Sequence, residues 1–528
     1  MRQSRTAITL ILFLFQAFSF AANTPEKKEV AKPGLAKRVQ AIVRQPGFAR
    51  AYWGIDVVDM ESGKAIYALN SDHLFLPASN AKLLSTSAAL ALAGPEYRFH
   101  TTIESSGKID ANGRLLGDLV IVGRGDANIS GRVMPYQLKT ERVSPHTQIL
   151  EQLADQIVQK GVRIVDGDLI GDDTFYAPER YGEGWAHDDL QWIDGAPVSA
   201  LTFNDNVLFL KIQPGEKAGD KALVTVDPQT SYYELENRIV TAAAGVARKV
   251  GIHRDPGSYK ATLWGVIPLG DAGLSEAMAV EDPAEFTAQI FRSLLEKRGI
   301  TVTGKTLARH GDPAQFFDQP QTQIPASVVA APLGPPAQIL AEHVSLPLIE
   351  DVRVTNKTSQ NLHAELDLRL IGRLKGTGGS FEGGADVLKL FLLQAGLKTS
   401  EFFVLDGSGL SRRDLITPAA MVQVLIHASL QPWGAAFEQT LPVAGVDGSL
   451  AERFANTPAG GLVHAKTGTL SHVNTLSGYG QTRSGRRFAF SIFCNNHDLP
   501  SAKVVAAIDE IVVLLVTEGD SAGKSSGP

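Results

Sequence analysis

The sequence predicts an α/β protein, with helices and strands arranged in the α+β manner, in which a long β-rich insertion interrupts one domain. Three observations support this prediction. A strand hairpin and an apolar helix occur between residues 53 and 92. Short β-like segments separated by Gly, Asp and Pro turns dominate residues 97–319. Helical patterns, three strands and a last helix then fill residues 337–516.

The first predicted elements are a hairpin and a helix. Trp53–Met60 and Ala65–Leu69 are rich in strand-forming residues, and the turn residues Glu61–Lys64 separate them. Small residues and good helix formers from Ser79 to Leu92 predict a helix, which ends before Gly94-Pro95. Because this helix is apolar on almost every side, we expect it at the centre of a domain.

The middle of the chain is predicted as the insertion, residues 97–319, with two nested subdomains. A segment rich in Pro, Ala and Gln at residues 320–336 marks its end. The predicted strands include Leu119–Val122, Val207–Ile212, Leu223–Val226 and Ile239–Thr241, and the predicted helices are Thr147–Lys160 and Pro283–Arg298.

The last third of the chain returns to helical patterns. The predicted helices are Pro347–Thr355, Ser359–Leu374, Gly384–Ala395, Thr417–Ser429 and Ser501–Val516, and the predicted strands are Gly461–Thr467, Thr475–Gln481 and Arg487–Cys494. We therefore predict one domain split between residues 40–96 and 337–516. The polar residues 517–528 are predicted to be disordered.

The N-terminus has the layout of a secretory signal peptide over residues 1–21. Arg2 and Arg5 precede the short apolar run Ala7–Phe15, and Ser19-Phe-Ala21 supplies small residues for a cleavage site. The alternative is an uncleaved signal anchor. We expect an exported, periplasmic protein with no transmembrane segment in the mature chain; secretion with wall association is left open.

Composition excludes several classes of function. The 528 residues include 56 acidic and 50 basic side chains, for a net charge of −6, which argues against a nucleic-acid partner. A single cysteine excludes a Cys-rich zinc site, and the twelve histidines form no H-E-x-x-H motif. No metal or cofactor is therefore predicted. Cys494 lies in an apolar run and is predicted to be a buried, unreactive thiol.

Three short motifs carry the chemistry. They are Ser79-Asn-Ala-Lys82 (S-x-x-K), Ser359-Gln-Asn361 (S-x-N) and Lys466-Thr-Gly-Thr469 (K-T-G-T). At a helix start, residues i and i+3 share a face, so Lys82 can reach the Ser79 hydroxyl. A serine is a poor nucleophile until a base takes its proton. Burial and a second ammonium, Lys466, are expected to lower the pKa of Lys82 enough for that role.

Together these motifs resemble the active-site triplet of the penicillin-recognising serine acyltransferases. The large insertion between the first two motifs is similar to the class C low-molecular-mass penicillin-binding proteins, the D-alanyl-D-alanine carboxypeptidase/endopeptidases of the DacB type. Four segments carry this resemblance: Leu76–Leu84, Asp406–Arg412, Leu441–Gly448 and His464–Thr469. The resemblance implies a penicillin-binding protein/β-lactamase-like transpeptidase fold, with an antiparallel sheet flanked by helices.

The resemblance also implies a role for each motif residue. Ser79 is then the acylated nucleophile and Lys82 its general base. Ser359 relays a proton to the leaving amine, and Asn361 holds Lys82 and the substrate amide. Lys466 supplies positive potential.

Substrate binding is assigned by the same resemblance. Thr467, Gly468 and Thr469 belong to the strand that binds the terminal carboxylate, and the backbone N–H groups of Ser79 and Thr469 form the oxyanion hole. Asp189, in the loop Gly184-Trp-Ala-His-Asp-Asp189, is expected to recognise the free amine of the stem peptide. The alternative for Asp189 is a solvated loop carboxylate.

The function implied is a serine D-alanyl-D-alanine carboxypeptidase/endopeptidase. Its substrates are peptidoglycan stem peptides, β-lactam antibiotics acylate it, and no cofactor takes part. Two alternatives stay open at this point. One is a β-lactamase-like or esterase hydrolase of the same superfamily. The other is a non-catalytic envelope protein that binds peptidoglycan.

Overall fold

The computed structural model describes residues 33–136, 145–313, 337–376 and 378–522. The elements outside the insertion are α1 (Pro33–Val43), β1 (Tyr52–Asp59), β2 (Ala65–Leu69), α2 (Lys82–Leu92), α5 (Leu348–Thr358), α6 (Asn361–Lys375), α7 (Phe381–Gln394), β18 (Phe402–Phe403), β19 (Leu415–Ile416), α8 (Pro418–Ser429), α9 (Gly434–Thr440), β20 (Val463–Leu470), β21 (Val473–Gln481), β22 (Arg487–Asn495) and α10 (Ser501–Ala522).

Strands from both ends of the chain form one five-stranded sheet in the order β2-β1-β22-β21-β20. All four neighbouring pairs are antiparallel. In the central pair of strands, Ile55 of β1 lies opposite Ile492 of β22. The chain therefore leaves this sheet after β2 and returns to it only at β20, which forms one edge.

The insertion contributes most of the remaining strands. Its elements are β3 (His100–Ser105), β4 (Lys108–Ile109), β5 (Arg114–Leu116), β6 (Leu119–Val122), α3 (Gln148–Gln159), β7 (Ile164–Val165), β8 (Leu169–Asp172), β9 (Val207–Gln213), β10 (Leu223–Asp227), β11 (Glu234–Ala242), β12 (Lys249–His253), β13 (Lys260–Pro268), β14 (Leu274–Ala279), α4 (Pro283–Lys297), β15 (Thr301–Val302), β16 (Thr306–Arg309) and β17 (Gln338–Val344).

Four sheets divide these strands. Two mixed sheets have the orders β16-β8-β6-β3-β17 and β15-β7-β5-β4. Two three-stranded sheets, β10-β9-β14 and β11-β13-β12, are formed by the chain between β8 and α4. Buried side chains from both pairs of sheets belong to one hydrophobic cluster, so the pairs pack together.

Helices cover both faces of the five-stranded sheet. On one face, buried residues of β1, β20, β21 and β22 pack with those of α1 and α10. On the other, Tyr479, Ala489 and Phe493 pack with α2 and with helices α5 to α8. The predicted fold class, an antiparallel sheet flanked by helices with a β-rich insertion, is confirmed by this architecture and by the comparisons below.

Most long elements lie where the sequence predicts them. The hairpin β1–β2, the helices α3 and α4 and the strands β20 to β22 each match a predicted segment. Cys494 is fully buried on β22, as predicted, and burial raises the pKa of its thiol to about 12. The short helix α9 was not predicted. Its sequence, Gly-Ala-Ala-Phe-Glu-Gln-Thr, is too short for a helical period.

The structure places three boundaries differently from the sequence prediction. The helix α1 begins at Pro33, before the expected start at residue 40, and buries Leu35 and Val39 against α10. The strand β17 pairs with β3, so the insertion continues past residue 337 to Val344. The last helix continues beyond residue 516 to Ala522, because no proline interrupts it. The predicted signal peptide, residues 1–21, lies outside the described residues.

Candidate active site

The S-x-x-K motif lies where a short 3₁₀ turn, Ala78–Ala81, leads into α2. The Nζ atom of Lys82 donates to the Ser79 Oγ at 2.8 Å. Lys82 is fully buried, whereas the Ser79 side chain is half-buried and lines a cleft. The sequence predicted a helix start at Ser79. The structure adds that the first turn is 3₁₀, which places residues i and i+3 directly above one another.

The Lys82 amino group has two further acceptors. It donates to the Asn361 Oδ1 at 2.7 Å and to the backbone oxygen of Ser408 at 2.8 Å. An amino group has three hydrogens in its charged form, so three acceptors use its full capacity. All three acceptors are uncharged. The buried amino group of Lys82 therefore has no carboxylate in direct contact among these three partners.

The S-x-N motif forms the turn between α5 and α6, and its residues face alternate sides. Ser359 ends α5 in the left-handed region, with a φ of 63°. Gln360 caps α6, because its side chain accepts a hydrogen bond from the Leu362 N–H at 3.2 Å. Asn361 donates from Nδ2 to the backbone oxygen of Asp194, in the insertion, at 2.8 Å.

The K-T-G-T motif lies on the edge strand β20. The Nζ atom of Lys466 donates to the Ser359 Oγ at 2.7 Å and to the backbone oxygen of Thr467 at 2.9 Å. Gly468 packs against the S-x-x-K turn: a Cβ atom there would lie 3.0 Å from the Ser79 N and 2.2 Å from the Thr475 Oγ1. A glycine is therefore needed for β20 to approach Ser79.

These motifs border a single cleft of about 430 Å³. The Thr467 and Thr469 side chains line it together with the Ser79 and Ser359 side chains. The Thr467 hydroxyl shares a hydrogen bond of 2.8 Å with the Ser449 hydroxyl, and the Asn474 Nδ2 donates to the Thr469 Oγ1 at 3.3 Å. Two hydroxyl groups on one strand thus reach the cleft beside Ser79.

Asp189 lines the same cleft from the insertion, opposite β20. Its carboxyl group is half-buried, and burial, Asp188 and Asp194 raise its pKa, while Arg412 opposes them. Asp189 thus lies on the wall of the cleft, where a role in binding substrate stays a prediction. The sequence analysis gave Arg412 and Asp194 no role beside Asp189. Arg412 is distant along the chain, and the sequence around Asp194 shows no pattern that places its carboxylate near that of Asp189.

The two lysines of the site are both shifted towards their neutral forms. Burial lowers the pKa of Lys82 to about 8, although the negative charges of Asp406 and Glu365 oppose the shift. Burial and the charge of Lys82 lower the pKa of Lys466 well below its ordinary value. The sequence predicted that Lys466 would lower the pKa of Lys82. Repulsion between the two amino groups is present in the structure, where the charge of Lys82 contributes to the lowered pKa of Lys466.

A buried acidic cluster supports Lys82 from below, and the sequence analysis gave it no role. Asp406 accepts hydrogen bonds from the Gly409 and Ser411 N–H groups, both at 2.7 Å, and from the Trp185 Nε1 at 2.9 Å. Glu365 accepts one from the Ser408 N–H at 2.8 Å.

This cluster fixes the carbonyl group that Lys82 bonds, because that carbonyl belongs to Ser408. Gly409 in the same loop has a φ of 77°, and a Cβ atom there would lie 1.9 Å from the Ala78 oxygen. The spacing of Glu365 four residues after Asn361, on one face of α6, was the available signal.

Comparison with known sequences now identifies the family. The model of the "D-Ala-D-Ala carboxypeptidase 3 (S13) family" matches residues 35–517. The chain belongs to this family. The prediction of a serine-type D-Ala-D-Ala carboxypeptidase is therefore confirmed.

Two relatives show how far the similarity extends. The D-alanyl-D-alanine carboxypeptidase of Actinomadura sp. (strain R39) is 33% identical over 492 residues, which cover 91% of this chain and 84% of that protein. The D-alanyl-D-alanine carboxypeptidase DacB of Haemophilus influenzae is 26% identical, over 84% of this chain and 85% of that protein.

Solved structures show the same fold. Penicillin-binding protein 4 (dacB) from Haemophilus influenzae matches with a TM-score of 0.75 at 24% identity, over 91% of this chain and 99% of that one. Its complex with a β-lactam matches with a TM-score of 0.70 at 22% identity. Among the described residues, no helix combines the length and the apolar character needed to cross a membrane.

Proposed function

We propose that this member of the S13 family hydrolyses D-Ala-D-Ala termini and D-Ala-linked crosslinks of peptidoglycan through an acyl-enzyme on Ser79. The contact between the Lys82 Nζ and the Ser79 Oγ, at 2.8 Å, carries the proposal. With a pKa of about 8, roughly a tenth of Lys82 is neutral at pH 7 and able to accept a proton.

In the acylation step, neutral Lys82 takes the proton of the Ser79 hydroxyl while the oxygen attacks the carbonyl carbon of the penultimate D-Ala. The carbonyl electrons move to the oxygen, which the backbone N–H groups of Ser79 and Thr469 stabilise. When the C–N bond breaks, the Ser359 hydroxyl, which is bonded to Lys466, gives its proton to the leaving amine, and the proton that Lys82 took from Ser79 replaces it, so Lys82 is neutral again. Water then hydrolyses the ester and restores Ser79.

The terminal carboxylate of the substrate binds along β20. The hydroxyl groups of Thr467 and Thr469 face the cleft and supply two donors, while Lys466 holds the neighbouring Ser359 hydroxyl through a hydrogen bond. Asp189, on the opposite wall, recognises the free amine of the stem peptide. A β-lactam follows the same acylation route, because its strained amide mimics the D-Ala-D-Ala bond.

This substrate lies in the cell envelope, so we also propose that the protein is exported to the periplasm. The predicted signal peptide, residues 1–21, supports this part of the proposal. Two contacts between motif residues argue against a non-catalytic envelope protein, that of Lys82 with Asn361 and that of Lys466 with Ser359.

The test is release of D-Ala from a synthetic stem pentapeptide, together with labelling by a fluorescent penicillin. The wild type is expected to do both, and Ser79→Ala neither. Ser87→Ala is the matched control: Ser87 is a buried serine of the same helix whose hydroxyl donates to the Leu84 oxygen. An undiminished label on Ser79→Ala would refute the mechanism.

A second substrate distinguishes the endopeptidase activity from the carboxypeptidase activity. Cleavage of a crosslinked peptide dimer reports endopeptidase activity, and D-Ala release reports carboxypeptidase activity. A penicillin adduct that persists for hours separates both from a β-lactamase-like hydrolase, in which the adduct turns over quickly. Asp189→Asn is expected to raise KM for substrates with a free side-chain amine more than for their acetylated forms.

A further inference from the structure

A buried polar cluster lies behind the S-x-N turn, on the side away from the cleft. The Gln360 side chain points to this side, and its Nε2 donates to the Asp205 Oδ2 at 2.6 Å. Asp205 belongs to the insertion, so this bond joins the insertion to the middle residue of the motif. The two residues flanking Gln360 are Ser359 and Asn361, which face the cleft.

The turn that carries Asp205 is unusual. Three consecutive residues, Asn204, Asp205 and Asn206, have positive φ values of 52°, 54° and 56°. Such a conformation costs free energy at each residue and persists only where the surroundings hold it. Here the Asn206 Nδ2 donates to the Pro197 oxygen at 2.8 Å, and the Asn204 Nδ2 donates to the Val207 oxygen at 2.9 Å. The turn is therefore built to present the Asp205 carboxylate.

Two cations hold this carboxylate in place. The Arg132 Nη2 donates to the Asp205 Oδ2 at 2.7 Å, and the His363 Nε2 lies 3.2 Å from the Asp205 Oδ1. The other ring nitrogen of His363 lies 2.7 Å from the Asp351 Oδ1. Both ring nitrogens face carboxylate oxygens, so both carry protons and His363 is a cation. Burial opposes this charge, but Asp351 and Asp205 outweigh it and raise the pKa of His363.

The remaining groups around the cluster balance its charge. The Asn128 Nδ2 donates to the Asp351 Oδ1, which also contacts His363. Asp367 is fully buried nearby, and burial and the charge of Asp351 raise its pKa well above the usual range, so it is a neutral acid. Two cations, Arg132 and His363, therefore face two carboxylates. The removal of one partner would leave an uncompensated buried charge, which costs much more than a surface ion pair.

We propose that the insertion positions the catalytic S-x-N turn through this cluster. Asp205, held by Arg132 and His363, fixes Gln360 and thereby aligns Ser359 and Asn361 with the two lysines. A second link from the insertion, the bond from the Asn361 Nδ2 to the Asp194 oxygen, acts on the cleft side of the same turn. Asp205 and Gln360 are positioning residues, and the inference rests on the proposed function of Ser359 and Asn361.

The test uses a series at residue 360, because these variants leave the ion pair of Asp205 and Arg132 intact. Gln360→Met keeps the size of the side chain but removes both the donor to Asp205 and the oxygen that caps α6, whereas Gln360→Glu keeps an oxygen for the cap. Gln360→Glu places a second carboxylate against Asp205. The matched control is Asp173→Asn, since Asp173 is another buried aspartate of the insertion that contacts a histidine, His310, at 2.9 Å.

The readouts are the rate constant of acylation by fluorescent penicillin, the kcat and KM of D-Ala release, and the Tm. We expect acylation and kcat to fall about tenfold in Gln360→Met and further in Gln360→Glu, with little change in KM. Asp173→Asn is expected to lower the Tm and to keep acylation within about twofold of the wild type. Acylation of Gln360→Met at the wild-type rate, or a loss no greater than in Asp173→Asn, would overturn the inference.

A crystal structure of Gln360→Met separates this inference from the proposed function. We expect the distance between the Ser359 Oγ and the Lys466 Nζ, and that between the Asn361 Oδ1 and the Lys82 Nζ, to lengthen or vary between copies. Unchanged distances would refute the positioning role even if penicillin does not label the wild type. Absence of a label on the wild type would instead refute the acyl-enzyme.

Discussion

Two groups of buried basic side chains lie on opposite sides of the S-x-N turn, and they differ in the groups that they contact. On the cleft side, the Lys82 and Lys466 amino groups donate to uncharged oxygens of hydroxyl, amide and backbone carbonyl groups. On the far side, Arg132 and His363 are equally buried, but each contacts the carboxylate of Asp205.

The difference shows how burial can produce either a base or a fixed cation. Without a contacting counterion, burial favours the neutral form, and the pKa of Lys82 falls to about 8. Between two carboxylates, burial is outweighed, and the pKa of His363 rises. The first arrangement supplies a proton acceptor next to Ser79, and the second holds the turn that carries Ser359 and Asn361.

The strongest contrast comes from removing a lysine from each kind of environment. Lys82→Met is expected to slow acylation by about 10³-fold or more, because the general base is lost. Its Tm should stay the same or rise, since Met fills a similar volume without a buried charge. Penicillin labelling and calorimetry measure both effects.

Lys357→Met is the matched variant for this comparison. Lys357 is also buried, but its Nζ atom is paired with the Asp447 carboxylate. We expect its Tm to fall, because Asp447 loses its partner. A Tm that falls for Lys82→Met and not for Lys357→Met would reverse the proposed difference between the two environments.

A smaller effect is expected from the acidic cluster below Lys82. Asp406→Asn removes the charge that most raises the pKa of Lys82 and weakens the support of the Gly409 and Ser411 N–H groups. Acylation should fall by about tenfold, and the pH at which it is half-maximal should move to a lower value. A midpoint that moves to higher pH would contradict the assigned direction of this interaction.

The wild type itself has an expected pH dependence. Because only the neutral form of Lys82 accepts a proton, acylation should increase as the pH rises through about 8 and then level off. Stopped-flow acylation at constant ionic strength measures this profile. A rate that is flat from neutral pH to well above the Lys82 pKa would exclude Lys82 as the base.

The smallest expected effect concerns stability. The pKa of His363 is raised from 6.5 in the folded protein, so its stabilising contribution is complete below about 6.5 and is lost as the pH rises through the folded value. The Tm difference between wild type and His363→Gln should therefore be larger at about pH 6 than at about pH 9. A difference that grows with pH would show that His363 is buried in its neutral form.

Local patterns in the sequence predicted the residues that line the cleft better than the buried polar residues that hold them in place. The S-x-x-K spacing at a helix start predicted the contact between Lys82 and Ser79, because three residues make about one turn. The cluster of Arg132, Asp205 and His363 could not be predicted, since its members come from segments far apart in the chain. No periodicity reports which buried polar side chains will meet.

The predicted end of the insertion and the predicted start of the first domain differ from the structure for a related reason. The strand β17 follows a segment rich in proline, which suggested a return to the first domain at residue 337. Its pairing with β3, such as His343 opposite Thr101, depends on a strand more than two hundred residues earlier. The helix α1 was missed because its buried residues, Leu35 and Val39, are separated by charged ones.

The central claim is that Ser79, activated by an unpaired buried lysine, forms the covalent intermediate. Mass spectrometry of the penicillin-treated protein, followed by tryptic mapping, tests it most directly. The account predicts one adduct per chain, on the peptide that ends at Lys82, at Ser79, and none in Lys82→Met over the same time. An adduct on any other residue, or equal modification of wild type and Lys82→Met, would contradict it.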